Sequence, residues 1–297
     1  MRYPWRLRRK SLAFDLVPTA FVLSGGASLG AVHVGMLLGL AEIAERPDLI
    51  VGTSVGAVNG GWIASRPDLP GIRGLADLWI SLSRKQIFPT HPVAGALGML
   101  GRRSHLVPNS GLRRVLADKL EFTQLEDAPI PLHVVATDVV SGTDVLLSSG
   151  DAADAIAASA AIPAIFPPVR VNGRDLMDGG VVNNTPISHA VALGADRIWV
   201  LPTGYSCDLP AAPTTAVNMA LHAMTLALNH RLAVDILRFE QAVDLRVIRP
   251  LCPIATSGAD FSHAATLIER SHAATREWLA AHPPNTGQAR LLAPHSH

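Results

Sequence analysis

The feature that most constrains this chain is a pattern of short apolar run, glycine-rich turn and helix that occurs twice within the first 65 residues. Residues 17–24 are apolar and β-branched and end in Gly25-Gly26, after which residues 29–45 carry a helical pattern that Pro47 stops. Residues 48–53 form a second short run. Residues 54–65 follow as a helix rich in small residues, despite Gly56, Gly60 and Gly61. Two consecutive strand-turn-helix units imply a parallel sheet, since parallel neighbours need a crossover and the crossover helices cover the sheet faces. The chain has the material for it. Of its 297 residues 48% are hydrophobic and 16% charged, enough apolar mass for a sizeable core and too little charge for a disordered chain.

The remaining sequence extends the same α/β alternation. Strands are expected at 132–140 and 144–147, followed by an alanine-rich helix from an Asp151 cap to about Ile162, where Pro163 and then Pro167-Pro168 end it. Residues 169–178 read as strand, turn and strand around Asn172-Gly173. A helix at 186–193, a buried strand at 197–201, and helices at 215–241 and 261–281 complete the reading. No repeat or clean linker divides the chain. The expected organisation is a basic arm over 1–16, one catalytic domain over 17–285 with a C-terminal helical part at 215–281, and a tail over 286–297. Prolines and glycines scattered among Leu97, Met99, Leu100, Arg102 and Arg103 suggest residues 85–111 as a covering lid, with an ordinary connection containing one short helix as the equally weighted competing reading.

Several function classes are excluded or weakened by composition. A formal charge of +1, from 25 basic and 24 acidic residues, gives no global field for nucleic acid, so no nucleic-acid partner is expected. Early apolar segments are interrupted by His33, Glu42, Asn59 and Arg66, and none is long enough to span a bilayer. Asp15 and Pro18 break what would be the apolar core of a leader. Cys207 and Cys252 are too few for a disulfide framework and lack C-x-x-C spacing, which points to a reducing compartment and a cytoplasmic protein. No metal-ligand spacing occurs and no cofactor is expected.

Chemistry concentrates at three turns. Gly52-Thr53-Ser54-Val55-Gly56 is a G-x-S-x-G after a strand and at the entrance of a helix, where a serine is pushed outward and the helix N-terminus favours negative charge on its oxygen. Ser54 is the candidate nucleophile. Gly25-Gly26-Ala27-Ser28-Leu29-Gly30 lacks the Lys-Ser or Lys-Thr of a nucleotide loop and the glycine spacing of a dinucleotide loop, but Gly25, Gly26 and Ala27 can offer backbone donors to an oxyanion. A base is also needed. Asp178-Gly179-Gly180 supplies a candidate carboxylate, with Asp138 and Asp175 as rivals.

Together these residues resemble the patatin-like acyl hydrolases, whose site is related to that of cytosolic phospholipase A2. The resemblance runs from about Thr19 to Leu201. It rests on the loop from Gly25 to Gly30, on Gly52 to Gly56, on Ala157-Ala158-Ser159-Ala160-Ala161-Ile162-Pro163 with Phe166-Pro167-Pro168, and on Asp178-Gly179-Gly180 with Asn183 and Pro186. It implies a three-layer α/β/α sandwich with a central, mostly parallel sheet, and a Ser–Asp dyad without histidine, carried here by Ser54 and Asp178. Leu29 stands where the family usually has a basic residue before the last loop glycine, so the backbone donors remain while a nearby cation is lost.

The implied function is a serine hydrolase acting on ester bonds of phospholipid, lysophospholipid or neutral lipid through an acyl-enzyme. Two other readings are open. One is an α/β-hydrolase with a Ser-His-Asp triad, drawing on His189, His222, His230 or His263. The other is a lipid-binding module that keeps the fold without useful turnover. The basic start around Trp5 reads first as a solvated tail; together with Leu97, Met99 and Leu100 it gives, as the competing reading, transient contact with a membrane surface and hence a peripheral location.

Overall fold

The computed structural model describes residues 18–89, 104–204, 212–252 and 260–281. Among these residues eight strands form one sheet: β1 (Thr19–Leu23), β2 (Leu49–Thr53), β3 (Leu132–Asp138), β4 (Asp144–Leu147), β5 (Val169–Val171), β6 (Arg174–Asp178), β7 (Arg197–Leu201) and β8 (Asp244–Val247). The order is β5-β6-β3-β2-β1-β7-β8, with β4 also paired to β3. The β3-β2-β1-β7-β8 stretch is parallel throughout, whereas β4, β5 and β6 pair antiparallel. This is the mixed, mostly parallel sheet that the βα alternation requires.

Ten helices are described. They are α1 (Ala31–Glu42), α2 (Val55–Ser65), α3 (Leu69–Ser81), α4 (Arg84–Ile87), α5 (Ser110–Lys119), α6 (Ala152–Ser159), α7 (Gly180–Asn183), α8 (Ile187–Ala192), α9 (Ala216–Phe239) and α10 (Ala264–Ala280), with a 3-10 turn at Ala27–Gly30 leading into α1. Two apolar clusters cover the two sheet faces. Phe21, Leu23 and Ile50 face the larger one with α1, α2 and α6, while Ala20, Val22 and Val51 face Leu232 and Ile236 of α9. Adjacent strand residues therefore point to opposite buried layers, as a sheet covered on both faces demands.

Several elements depart from the sequence expectation, among them α7 and β8, which it did not contain. Helix α1 ends at Glu42, before Pro47, and Ala44 turns left-handed at φ 59°. Helices α3 and α5 were not anticipated. The first starts at Asp68, whose carboxylate accepts from the Gly71 N–H, with Pro70 in its opening turn. The second begins only at the end of the segment read as a lid, whose opening residues belong to the short α4; residues 90–103 of that segment, with Leu97, Met99 and Leu100, lie outside the described residues, as do the arm and the tail.

Cys252 is disulfide-bonded, and no cysteine is free among the described residues. The sequence reading assigns no role to either cysteine and does not anticipate this bond. No helix of the described residues is long and apolar enough to cross a membrane.

Small residues set how closely the helices approach. A Cβ on Gly35 of α1 would overlap the Ser271 hydroxyl and the Ile268 carbonyl of α10, so glycine is what lets these two backbones meet. Gly35→Ala is therefore expected to destabilise the fold by about 1–3 kcal/mol through overpacking. Thermal unfolding followed by circular dichroism should show a melting temperature lower by roughly 3–10 °C. An unchanged value would mean the two helices can part freely.

Candidate active site

The C-terminal ends of β1, β2 and β7 and the end of β6 bring the sequence-predicted turns together. Ser54 sits between β2 and α2 at φ 55° and ψ −124°, a left-handed conformation that costs a serine about 1–3 kcal/mol and projects its side chain away from the strand. The sharp turn is sterically allowed because Gly52 and Gly56, two positions to either side, lack side chains. A Cβ on Gly52 would lie 2.6 Å from the Gly56 carbonyl oxygen, and one on Gly56 would overlap the Leu23 carbonyl at the end of β1. Gly30 serves the same purpose on the other side, lying against Val55 and Trp79.

The Ser54 hydroxyl donates to Asp178 Oδ2 at 2.6 Å, although the two residues are 124 positions apart. Both are buried, at 5% and 6% exposure, so this contact is largely shielded from solvent competition. The other carboxylate oxygen, Oδ1, accepts from the Gly180 N–H at 2.7 Å. Gly179 runs against the Val135 carbonyl, where a Cβ would collide. Burial pushes the Asp178 carboxyl up to about 6, opposed by the Ser54 and Gly180 hydrogen bonds.

Ser159, quoted in the sequence only as part of an alanine-rich block, turns out to organise the pair. Its hydroxyl donates to the Val135 carbonyl at 2.6 Å and accepts from the Ser54 N–H at 2.7 Å. The Asp178 and Gly179 N–H groups donate to the carbonyls of Ala161 and Ser159. The available signal was a single hydroxyl in a run of alanines, a residue that has to find partners once buried.

The glycine loop needs one correction. The Gly25 N–H donates to the Asn184 carbonyl at 3.1 Å, which commits the hydrogen that an oxyanion would take. Gly25 acts instead by closeness, because its Cβ position lies 3.2 Å from the Ser54 Cβ and would overlap the Asn184 side chain. Thr203 Oγ1 donates to the Gly25 carbonyl at 2.7 Å and fixes the loop to the end of β7. Gly26 and Ala27 remain as the expected donors, and Ala27 is held left-handed at φ 52°. Leu29 is half-buried and packs into the larger apolar cluster.

The rival groups lie elsewhere. Asp138 Oδ1 accepts from the Ser141 and Val140 N–H groups in a turn, which hold its carboxyl below the usual range, and Asp175 is bonded by Arg170 on the surface. His189 bonds Asp144 and His263 pairs with Asp260, while His222 and His230 belong to α9. Among the described residues no histidine hydrogen-bonds Ser54 or Asp178. No cluster of potential metal ligands occurs among them either.

An apolar cavity opens from the serine. It contains approximately 810 Å³ of unfilled space, open solvent at its mouth included, and Ser54 and Ala27 line it together with α2, α3 and α5.

Comparison with known proteins decides the family. The model for patatin-like phospholipases matches residues 21–191, a span that includes the glycine loop, Ser54, Ser159 and Asp178. The chain belongs to the patatin-like phospholipase family. It is 31% identical over 187 residues to lysophospholipase NTE1 of Lodderomyces elongisporus, covering 62% of this chain and 12% of that protein. It is 29% identical over 191 residues to patatin-like phospholipase domain-containing protein 7 of Rattus norvegicus, covering 62% and 13%. The chain thus spans about an eighth of these relatives. VipD from Legionella pneumophila aligns over 90% of this chain and 67% of its own, at 15% identity and a TM-score of 0.45.

The raised Asp178 value fixes a pH dependence. Below the unfolded value near about 3.9 the carboxyl is protonated in both states, and between there and about 6 the unfolded chain ionises first, so stability falls as pH rises. Asp178→Asn removes this penalty. Relative to wild type it should gain stability between pH 4 and pH 7.5, on the order of 3 kcal/mol for a shift of about two units. Urea unfolding of both proteins across that range checks it, and parallel curves would contradict the assigned burial.

Proposed function

We propose that this family member is a serine acyl hydrolase that cleaves ester bonds of lipids, with Ser54 as nucleophile and Asp178 as its base. The observation that carries the reading is the 2.6 Å hydrogen bond from the Ser54 hydroxyl to a buried carboxylate, at the head of an apolar cavity. A carboxylate raised to about 6 is a better proton acceptor than an ordinary aspartate and is still mostly ionised at neutral pH. The relatives named above as phospholipase and lysophospholipase supply the substrate class.

In the first half-reaction the Ser54 proton passes to Asp178 Oδ2 as the oxygen bonds to the ester carbonyl carbon. The carbonyl oxygen gains charge, and the N–H groups of Gly26 and Ala27 are the donors assigned to it. The tetrahedral species collapses, the bond to the alcohol oxygen breaks, and the proton on Asp178 leaves with the alcohol or lysolipid. Water then attacks the acyl-serine, giving its proton to Asp178, and the fatty acid departs as Ser54 recovers its hydrogen. All these steps use groups of the chain itself and water. Lipid substrates reside in membranes and micelles, so transient contact with a lipid surface belongs to the same proposal.

A fluorophosphonate probe is expected to label Ser54, identified by peptide mass spectrometry, and Ser54→Ala should lose the label together with at least about 10³-fold in ester hydrolysis. Asp178→Asn should lose turnover to a comparable degree. For wild type, kcat/KM should rise tenfold per pH unit below about 6 and level off above it, following ionisation of the base. Hydrolysis that survives both substitutions removes the assignment. Folded protein that binds lipid vesicles without being labelled would instead be a binding module.

A further inference from the structure

The cavity beyond Ser54 has an axis and an end, and three helices define both. Along α2 the lining residues are Val55, Val58, Asn59 and Trp62, one face of the helix read outward from the nucleophile. Helix α3 runs the opposite way, with Trp79 donating to Asn59 Oδ1 near the serine and the Gly71 carbonyl accepting from Trp62 Nε1 at the far end. Helix α5 runs with α2, from Leu112 to Lys119. From Ser54 to Trp62, from Trp79 to Gly71 and from Leu112 to Lys119 the separations are eight, eight and seven residues, or about 12 Å at the helical rise.

The far end is a braced wall. The Trp62 indole is tied to Gly71 at 2.7 Å and lies against Gly74, whose Cβ position is 3.1 Å from the ring. Arg66 stacks on the outer face of this indole with its guanidinium carbon 4.2 Å from the ring centroid. The same guanidinium donates to the Lys119 carbonyl and pairs with Glu121, which joins the ends of α2 and α5. Lys119 is also the one charged residue among the described lining residues, and it stands at this end. An alkyl chain growing past Trp62 would meet a fixed ring and then a guanidinium and an ammonium that lose hydration if it covers them.

We infer that Trp62, braced by Arg66, terminates the acyl groove and restricts this enzyme to medium-chain acyl groups. An extended alkyl chain advances about 1.25 Å per carbon from bonds of about 1.5 Å, so about 12 Å holds roughly eight to ten carbons. The inference rests on the acyl-hydrolase reading above and adds the substrate's length and the residue that sets it.

The test is a series of p-nitrophenyl esters from C4 to C16, all presented in the same detergent mixed micelles, assayed with wild type, Ser54→Ala, Trp62→Ala and Val58→Phe. Wild-type kcat/KM is expected to peak at C8 to C10 and to fall at least tenfold by C16. Trp62→Ala removes the wall and should raise the C16 to C8 ratio at least tenfold. Val58→Phe places a ring one helical turn nearer the serine and should lower the C10 to C4 ratio at least tenfold. Wild-type activity that keeps rising to C16, or a profile that folded Trp62→Ala leaves unmoved, overturns the inference while the Ser54 assignment stands. Esters left intact by wild type, or hydrolysed equally by Ser54→Ala, defeat the acyl-hydrolase reading and this inference with it.

Discussion

The placing of Ser54 against Asp178 depends on where three buried N–H groups find their acceptors. Those of Ser54, Asp178 and Gly179 are taken by the Ser159 hydroxyl, the Ala161 carbonyl and the Ser159 carbonyl, all within one turn at the end of α6. A buried amide left without an acceptor costs more than most packing contacts contribute, so this turn fixes both strand ends at once. Ser159 can do this because a hydroxyl both donates and accepts, and its proton is already directed to Val135. The distance between Ser54 and Asp178 is thereby a property of the backbone rather than of two mobile side chains.

Two energetic tensions accompany that rigidity. Ser54 occupies a left-handed conformation that a serine resists, and Asp178 keeps a carboxylate where burial disfavours its charge. Each is opposed by specific contacts. The elbow at Ser54 is held by Gly56 lying directly on the Leu23 carbonyl, and the ionised carboxylate is met by one hydroxyl and one N–H. The result is a carboxylate of raised proton affinity beside a hydroxyl that already points at it. This arrangement explains why glycine recurs around both residues: the backbones must come closer than any side chain permits.

Much of this was legible from sequence where local chemistry leaves few options. The apolar runs of β1, β2 and β7, the Asp151 cap of α6 and the Asn172-Gly173 turn each have one comfortable local structure, and they adopt it. The convergence of Ser54 with Asp178 was carried by family resemblance, since no local pattern states which of several aspartates crosses the sheet to a given serine. Helix α3 was hidden because Pro70, Gly71 and Gly74 weaken its signal, although Asp68 two residues ahead of Pro70 is a recognisable start. The Gly25 N–H was misread because its acceptor, Asn184, is supplied from the far side of the sheet.

The turn at Ser159 lies at the end of α6, whereas Trp62 belongs to α2 and is tied to α3 through the Gly71 carbonyl. The contacts that set Ser54 against Asp178 and those that hold the Trp62 ring are thus made by different pieces of the molecule. A drift in the packing of α3 or α5 would resize what the pocket admits while leaving the reacting oxygens in register.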